Sequence, residues 1–193
     1  YLFKIYTFYQ IIDVFKIIIR RVLASTLKEM AEKKSLSKIT INDLTQACDV
    51  SRQTFYNNFK DIYDLVEWIY LKEVVTPIER GKIYDKWQDA LTSIFQYISE
   101  NHVFVLNTYR SFGKGFLEKV LRQEIELFLS NQVFKKIEVT KEEAKQVEFS
   151  YSFYTYALVG VGLDWIEKQM PESVEELVER IERVMLGEII SLL

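Results

Sequence analysis

Apolar positions recur at intervals of three and four residues along nearly the whole chain. No stretch sustains the alternation of period two that a half-buried strand would show, so the pattern predicts an all-α protein without a sheet. Breakers are sparse, with six Gly and two Pro in 193 residues. Helices are predicted over 17–33, 41–48, 52–59, 61–75, 85–101, 102–112, 116–136, 141–170 and 173–193. They are interrupted at Thr76-Pro77, Gly81, Gly113 with Gly115, Val139-Thr140 and Pro171. Ahead of each proline the preceding residue is driven out of the helical region, which sets the ends at 75 and 170.

The short pair over 41–48 and 52–59 is the most specific pattern. Thr40 is placed to cap the first of these helices, with Ile41, Leu44 and Ala47 on one face. Asp49 and Val50 make a turn, and Ser51 caps the second helix. There Phe55 and Phe59 point inward at i and i+4, while Arg52, Gln53, Thr54, Tyr56, Asn57 and Asn58 mostly point outward. Arg can fork onto guanine, Gln and Asn can pair with adenine, and Thr, Tyr and capped N–H groups suit phosphate oxygens. A helix packed only as part of a bundle has no reason to expose this set. The pattern reads as a helix-turn-helix whose second helix meets DNA.

At the other end, Val174, Leu177, Val178, Ile181, Val184, Met185 and Ile189 form an apolar stripe flanked by Glu and Arg. The helix over 141–170 starts polar and becomes apolar nearly all round, with Gly160 and Gly162 in its interior. Each glycine there costs about 1 kcal/mol against Ala unless a close helix contact offsets it. Two such helices can supply half of a two-fold four-helix interface, with Tyr154, Leu158 and Val161 from one and Leu177, Ile181, Val184 and Met185 from the other.

Charge sharpens this division. The chain carries a net charge of −3, yet residues 1–60 hold ten Lys and Arg against five Asp and Glu, whereas residues 61–193 hold 15 against 23. A basic head on an acidic body steers DNA to one end of the molecule. The expected domains are a head over 1–60, with its core at 17–60, and a connecting helix plus C-terminal bundle over 61–193. Fourteen of the first nineteen residues are apolar or aromatic, but Lys4, Asp13 and Lys16 interrupt the run, so neither a membrane helix nor a signal peptide fits. That segment is expected to be a helical extension packed on its own body or on a dimer partner, with a frayed arm or an artefactual upstream translation as alternatives. Cys48, the single cysteine, excludes an intrachain disulfide and fits a reducing cytoplasm; it stands where a small apolar core residue belongs.

Catalytic chemistry is missing. One histidine, His102, and one cysteine cannot build a zinc site, and His102 sits at a helix junction as a solvated or capping residue. Gly113-Lys114-Gly115 is too short for a phosphate loop. No enzyme, metal or cofactor is expected.

With its Phe55-Tyr56 pair and closing Phe59, ITINDLTQACDVSRQTFYNNF resembles the helix-turn-helix of the TetR family of bacterial transcription regulators, and the preceding and following helices fit that family. The family's turn usually carries Gly where this chain has Asp49, which tolerates the left-handed region. Ile62 replaces a phosphate-contacting Lys, for which Lys60 is the candidate substitute. The segment YALVGVGLDWIEKQMPESVEELVERI is also similar to bodies of the subgroup associated with dihydroxyacetone kinase regulation. The resemblance implies an all-α cytoplasmic homodimer, a repressor or, with the opposite sign of control, an activator, on double-stranded DNA carrying an inverted repeat. Its DNA contacts come from Thr40, Ser51, Arg52, Gln53, Thr54, Tyr56, Asn57 and Lys60. It further implies a small apolar or aromatic effector among Phe95, Phe104, Tyr109, Phe112, Phe116, Phe153 and Trp165, with helix 61–75 relaying the signal. Two alternatives stand beside this: an adaptor or co-activator controlled by a protein partner, and a helical interaction protein with a weakened head.

Overall fold

Helix α1 runs unbroken from Leu2 to Ala31 in a computed structural model that describes residues 2–75, 86–133 and 140–187. The chain then makes a single 3-10 turn, Leu36–Lys38, before α2 (Ile41–Ala47), α3 (Arg52–Tyr56) and α4 (Ile62–Tyr70). The last of these widens into a π-helical turn, Leu71–Val75. There follow α5 (Trp87–Glu100), α6 (His102–Phe112) and α7 (Lys114–Phe128), which continues as a second π-helical turn, Leu129–Val133. Helices α8 (Lys141–Glu167) and α9 (Val174–Met185) complete the described chain. No strand occurs among the described residues. The expected break at Gly81 and the last residues of the helix expected over 173–193 lie outside them.

The chain divides into two compact units, Tyr1–Ile69 and Tyr70–Leu193. In the first, α1 contributes Leu23 and Leu27, α2 Leu44, α3 Phe55, and α4 Leu65, Val66 and Ile69, all inaccessible to solvent. Each such side chain contributes about 1.5–3 kcal/mol of burial. Phe59 packs its ring 6.0 Å from Phe55 and 5.7 Å edge-on to Trp68. That contact explains why the boundary between units falls inside α4 and not before it. Ala47, expected inside, is exposed, and Thr45 takes the buried place instead. Cys48 is half-buried; desolvation pushes its thiol up and a Thr26 hydrogen bond partly opposes this, so it stays a protonated packing group. The N-terminal extension is helical, but Val14, Phe15, Ile17, Ile18 and Val22 are exposed.

In the second unit α7 packs against both α6 and α8, and α9 packs against α5. Phe95, Phe128, Leu91, Ile94 and Leu117 fill its centre, and Phe95 meets Trp165 edge-on at 5.6 Å. Gly113, at φ 84°, lets α6 end and α7 begin without a linker, since L side chains rarely adopt that backbone. Gly162 lies against Leu121 and Phe95, both 3.5 Å from where a Cβ would sit, so close helix packing offsets its helical cost. No space for a larger residue opens there. Among the described residues no helix is long and apolar enough to cross a membrane.

Candidate nucleic-acid interface

Two caps set the geometry of the motif. Thr40 Oγ1 accepts from Asp43 N at 3.1 Å while Asp43 Oδ2 accepts from Thr40 N at 3.0 Å, a reciprocal box that opens α2. Ser51 Oγ accepts from Thr54 N at 3.0 Å and opens α3. Between them Asp49 takes φ 52°, in the left-handed region that the turn requires. A bare helix pair thus becomes a fixed angle.

From that frame α3 presents Arg52, Gln53, Tyr56 and Asn57 to solvent above the buried Phe55. Gln53 Nε2 donates to Asn57 Oδ1 at 2.9 Å, which orients two amides that can read adenine edges. Arg52 Nη2 lies 3.5 Å from Tyr56 Oη, and Lys60 is exposed just beyond. Thr54 is half-buried and shares a hydrogen bond with Ser51 at 2.9 Å, so both hydroxyls are partly committed to the helix start. Thr40 is likewise engaged in its box. All eight predicted DNA contacts belong to this one unit.

Two expectations about α3 need correction. It ends at Tyr56 and not at Phe59, because Asn57 and Asn58 leave the helix in a turn. Asn58 does not face outward: its Nδ2 donates to Thr54 O at 2.8 Å, and its carbonyl accepts from Arg20 Nη2 at 3.1 Å. Arg20, far away in sequence on α1, carried no local signal. Asp64 did carry a local signal, the capping spacing Asp61-x-x-Asp64: its Oδ2 accepts from Lys60 N at 2.9 Å while Asp61 Oδ1 accepts from Asp64 N at 2.8 Å, closing the start of α4.

Lys34 Nζ meets Asp43 Oδ2 at 2.8 Å, and this hydrogen bond, followed by those from Thr40, holds the Asp43 carboxyl down at about 2. A depressed folded-state pKa adds stability that is complete above the ordinary carboxylate value and disappears as pH falls through the folded one. The head should therefore lose this contribution between about pH 4 and about pH 2. Denaturant titrations across that window should show Lys34→Met with a shallower acid loss and its Asp43 carboxyl shifted back toward 3.8.

In the second unit, α8 and α9 border an open groove of about 920 Å³. Tyr154, Leu158, Val161, Leu177, Ile181, Val184 and Met185 all line it, which brings together every residue predicted for dimerisation. Leu158, Leu177 and Ile181 are nonetheless buried in the chain's own core, while Val161 and Val184 are 38% and 56% exposed. Gly160 also lines this groove, and a Cβ there would meet nothing within 4 Å.

The predicted effector residues do not converge on one chamber. Phe95, Phe104, Phe116 and Trp165 are packed in the core, and Phe112 packs edge-on to Phe116 at 5.4 Å. Phe153 is exposed and, with Trp165, lines the groove. Tyr109 is half-buried on α6. A separate small cavity of about 20 Å³ is bounded by Tyr70, Ile94, Tyr97, Val105, Leu121 and the buried Glu124, among others. It has room for about one water. Nearby, Tyr70 Oη donates to Thr108 Oγ1 at 3.1 Å and Tyr97 Oη to Glu73 Oε2 at 2.8 Å; burial pushes both phenols up. No cluster of residues that could hold a metal occurs among the described residues. His102 is exposed, its Nδ1 3.2 Å from Ser99 O.

Residues 85–187 match the model of a TetR-type family described as "Transcriptional regulator C-terminal region". Over 88 residues, 46% of this chain, the sequence is 30% identical to the HTH-type dhaKLM operon transcriptional activator DhaS of Lactococcus lactis subsp. lactis (strain IL1403). The matched part spans about half the length of that curated relative, 47%. Among solved structures, the dihydroxyacetone kinase operon activator DhaS superposes with a TM-score of 0.71 at 23% identity, over 90% of this chain and 97% of that one. The TetR family repressor AlkX from Dietzia sp. strain DQ12-45-1b, implicated in biodegradation of n-alkanes, superposes with a TM-score of 0.52 at 18% identity, over 89% and 96%. At these identities the structural likeness speaks to fold alone.

Proposed function

The chain belongs to the TetR family of transcriptional regulators, and from that premise we propose that it binds double-stranded DNA as a cytoplasmic homodimer on an inverted repeat. One observation carries the DNA reading. The row Arg52, Gln53, Tyr56 and Asn57 stands exposed on a capped helix anchored by the buried Phe55, with donors and acceptors suited to base edges and phosphates. The groove between α8 and α9 supports the two-fold assembly that an inverted repeat requires, since it gathers exposed Val161, Val184 and Phe153 on one surface. Selection of duplexes from a randomised library with the intact protein tests both parts. The expected product is a two-fold repeat with half-sites about one helical turn or more apart, bound more weakly as salt rises. Enrichment of no sequence would remove the reading.

Control by a small apolar or aromatic effector is the first reading of the body, supported by its aromatic wealth. A second reading, control by a protein partner, is favoured by the packed core around the cavity of about 20 Å³, which holds no organic effector; a small effector would instead have to sit in the open groove lined by Phe153 and Trp165. Linkage separates them. An effector must raise the melting temperature of the free protein and change operator affinity by about 1–3 kcal/mol. If metabolites of several chemical classes move neither quantity, the partner reading takes its place. Expression from the selected operator, measured with and without the protein, distinguishes repression from activation.

A further inference from the structure

We infer that Arg20 is a positioning residue for DNA reading, a clamp from α1 that fixes the C-terminal end of α3; the inference rests on the DNA-binding reading above. The reading helix holds only five residues, too few to keep its own geometry in water. Its start is secured by Ser51. Its end has no glycine cap and passes into the turn at Asn57 and Asn58, where carbonyls of the last turn need partners from elsewhere. Two side chains supply them. Asn58 folds back to donate to Thr54 O, and Arg20 Nη2 donates to Asn58 O at 3.1 Å. The same guanidinium lies over the Phe59 ring, 5.2 Å from its centroid, and is half-buried. A cation at this place also complements the negative end of the helix dipole.

The geometry separates anchoring from reading. Arg20 joins α1 to Asn58 and Phe59, which directly follow the row Gln53, Tyr56 and Asn57 at its Asn57 end, so loss of the clamp lets the exposed row tilt while Phe55 and Phe59 keep the head folded. Base readout is sensitive to such a tilt, because paired contacts to a base edge fail when the side chains are displaced by about half an ångström or more. Phosphate attraction is much less sensitive. Arg20 Nε and Asn58 Oδ1, a donor and an acceptor, are both buried without a hydrogen bond among the described residues, so the clamp depends on the carbonyl bond and the ring face.

The test compares Arg20→Met and Arg20→Lys with the wild type on two duplexes of equal length, an inverted repeat selected by the wild-type protein and a random sequence. Measurements are made at one salt concentration and well below every melting temperature. Arg20→Met should lose about tenfold in affinity for the repeat and less than about twofold for random DNA. Arg20→Lys should recover part of the lost ratio, because an ammonium can reach the carbonyl but cannot lie on the ring as the planar group does. Backbone amide resonances of Gln53, Asn57 and Lys60 should shift in Arg20→Met while those of Leu27 and Leu44 hold, a signature that general destabilisation would not produce. Equal losses on both duplexes, with a lower salt slope, would make Arg20 a direct phosphate contact and overturn the clamp; an unchanged ratio would overturn it as well. If the wild type itself selects no repeat, the DNA-binding reading fails and the clamp falls with it, an outcome distinct from either of these.

Discussion

Val161→Glu and Val184→Glu, made together, should turn a particle of roughly twice the 23.0 kDa chain mass into one of single-chain mass without unfolding it. Both side chains line the groove between α8 and α9 and are exposed in the single chain, so a carboxylate at either site is solvated in the monomer. In a two-fold dimer each substitution appears twice. Four carboxylates then enter an apolar seam, at about 2 kcal/mol each, or ~8 kcal/mol in all. That is enough to move a nanomolar dimer to about millimolar. Leu177→Glu and Ile181→Glu make poorer probes despite lining the same groove. At 4% and 7% exposure these residues belong to the chain's own core, and the expected result is loss of the fold. Gly160 supplies an independent check. With nothing within 4 Å of its Cβ position, Gly160→Ala should stabilise an isolated chain by up to about 1 kcal/mol, whereas Gly160→Leu should weaken a dimer whose helices meet there. Sedimentation and melting of the three classes of variant separate seam from core, and a wild type that sediments at single-chain mass at micromolar concentration would sink the dimer proposal.

The helix order is legible because a spacing of three and four apolar residues survives wherever a helix has one wet face, and the caps are legible because Thr40 and Ser51 directly precede such runs. Two further capping boxes, Thr140 with Glu143 and Ser173 with Glu176, carry the same signal and open α8 and α9. The length of α3 is less legible. Phe55 and Phe59 share the helical spacing of i and i+4, and a turn that keeps Phe59 buried satisfies the pattern as well as a longer helix does. Asn58 is misplaced for the same reason: polarity says outward, but its carbonyl and amide are taken by Arg20 and Thr54, and a partner 38 positions away leaves no local trace. In the body, aromatic residues mark a core and a ligand chamber with the same letters. Only packing distinguishes them, and Phe95 against Trp165 at 5.6 Å is packing.

Loss of base discrimination without loss of general DNA affinity is the expected result for Arg52→Ala and Gln53→Ala. Both side chains are exposed, neither supports the core, and Phe55 beneath them stays in place, so melting should hold within about 0.5 kcal/mol. Each change should cost about 1–3 kcal/mol on the selected repeat at one base position, the value of a paired contact to a base edge. Gln53→Ala has a second effect. It removes the partner that orients the Asn57 amide at 2.9 Å, so discrimination should relax at a neighbouring position too, and the double change with Asn57→Ala should cost less than the sum. Lys60→Ala and Tyr56→Phe form the contrasting pair: contacts to phosphate carry no sequence information, so both should weaken repeat and random duplex alike. For Lys60→Ala the salt slope should also fall by about one. Competition binding on a panel of singly substituted repeats at two salt concentrations resolves these patterns. If Arg52→Ala lowers repeat and random binding equally, its guanidinium serves a phosphate, and sequence reading must lie with Gln53 and Asn57 alone.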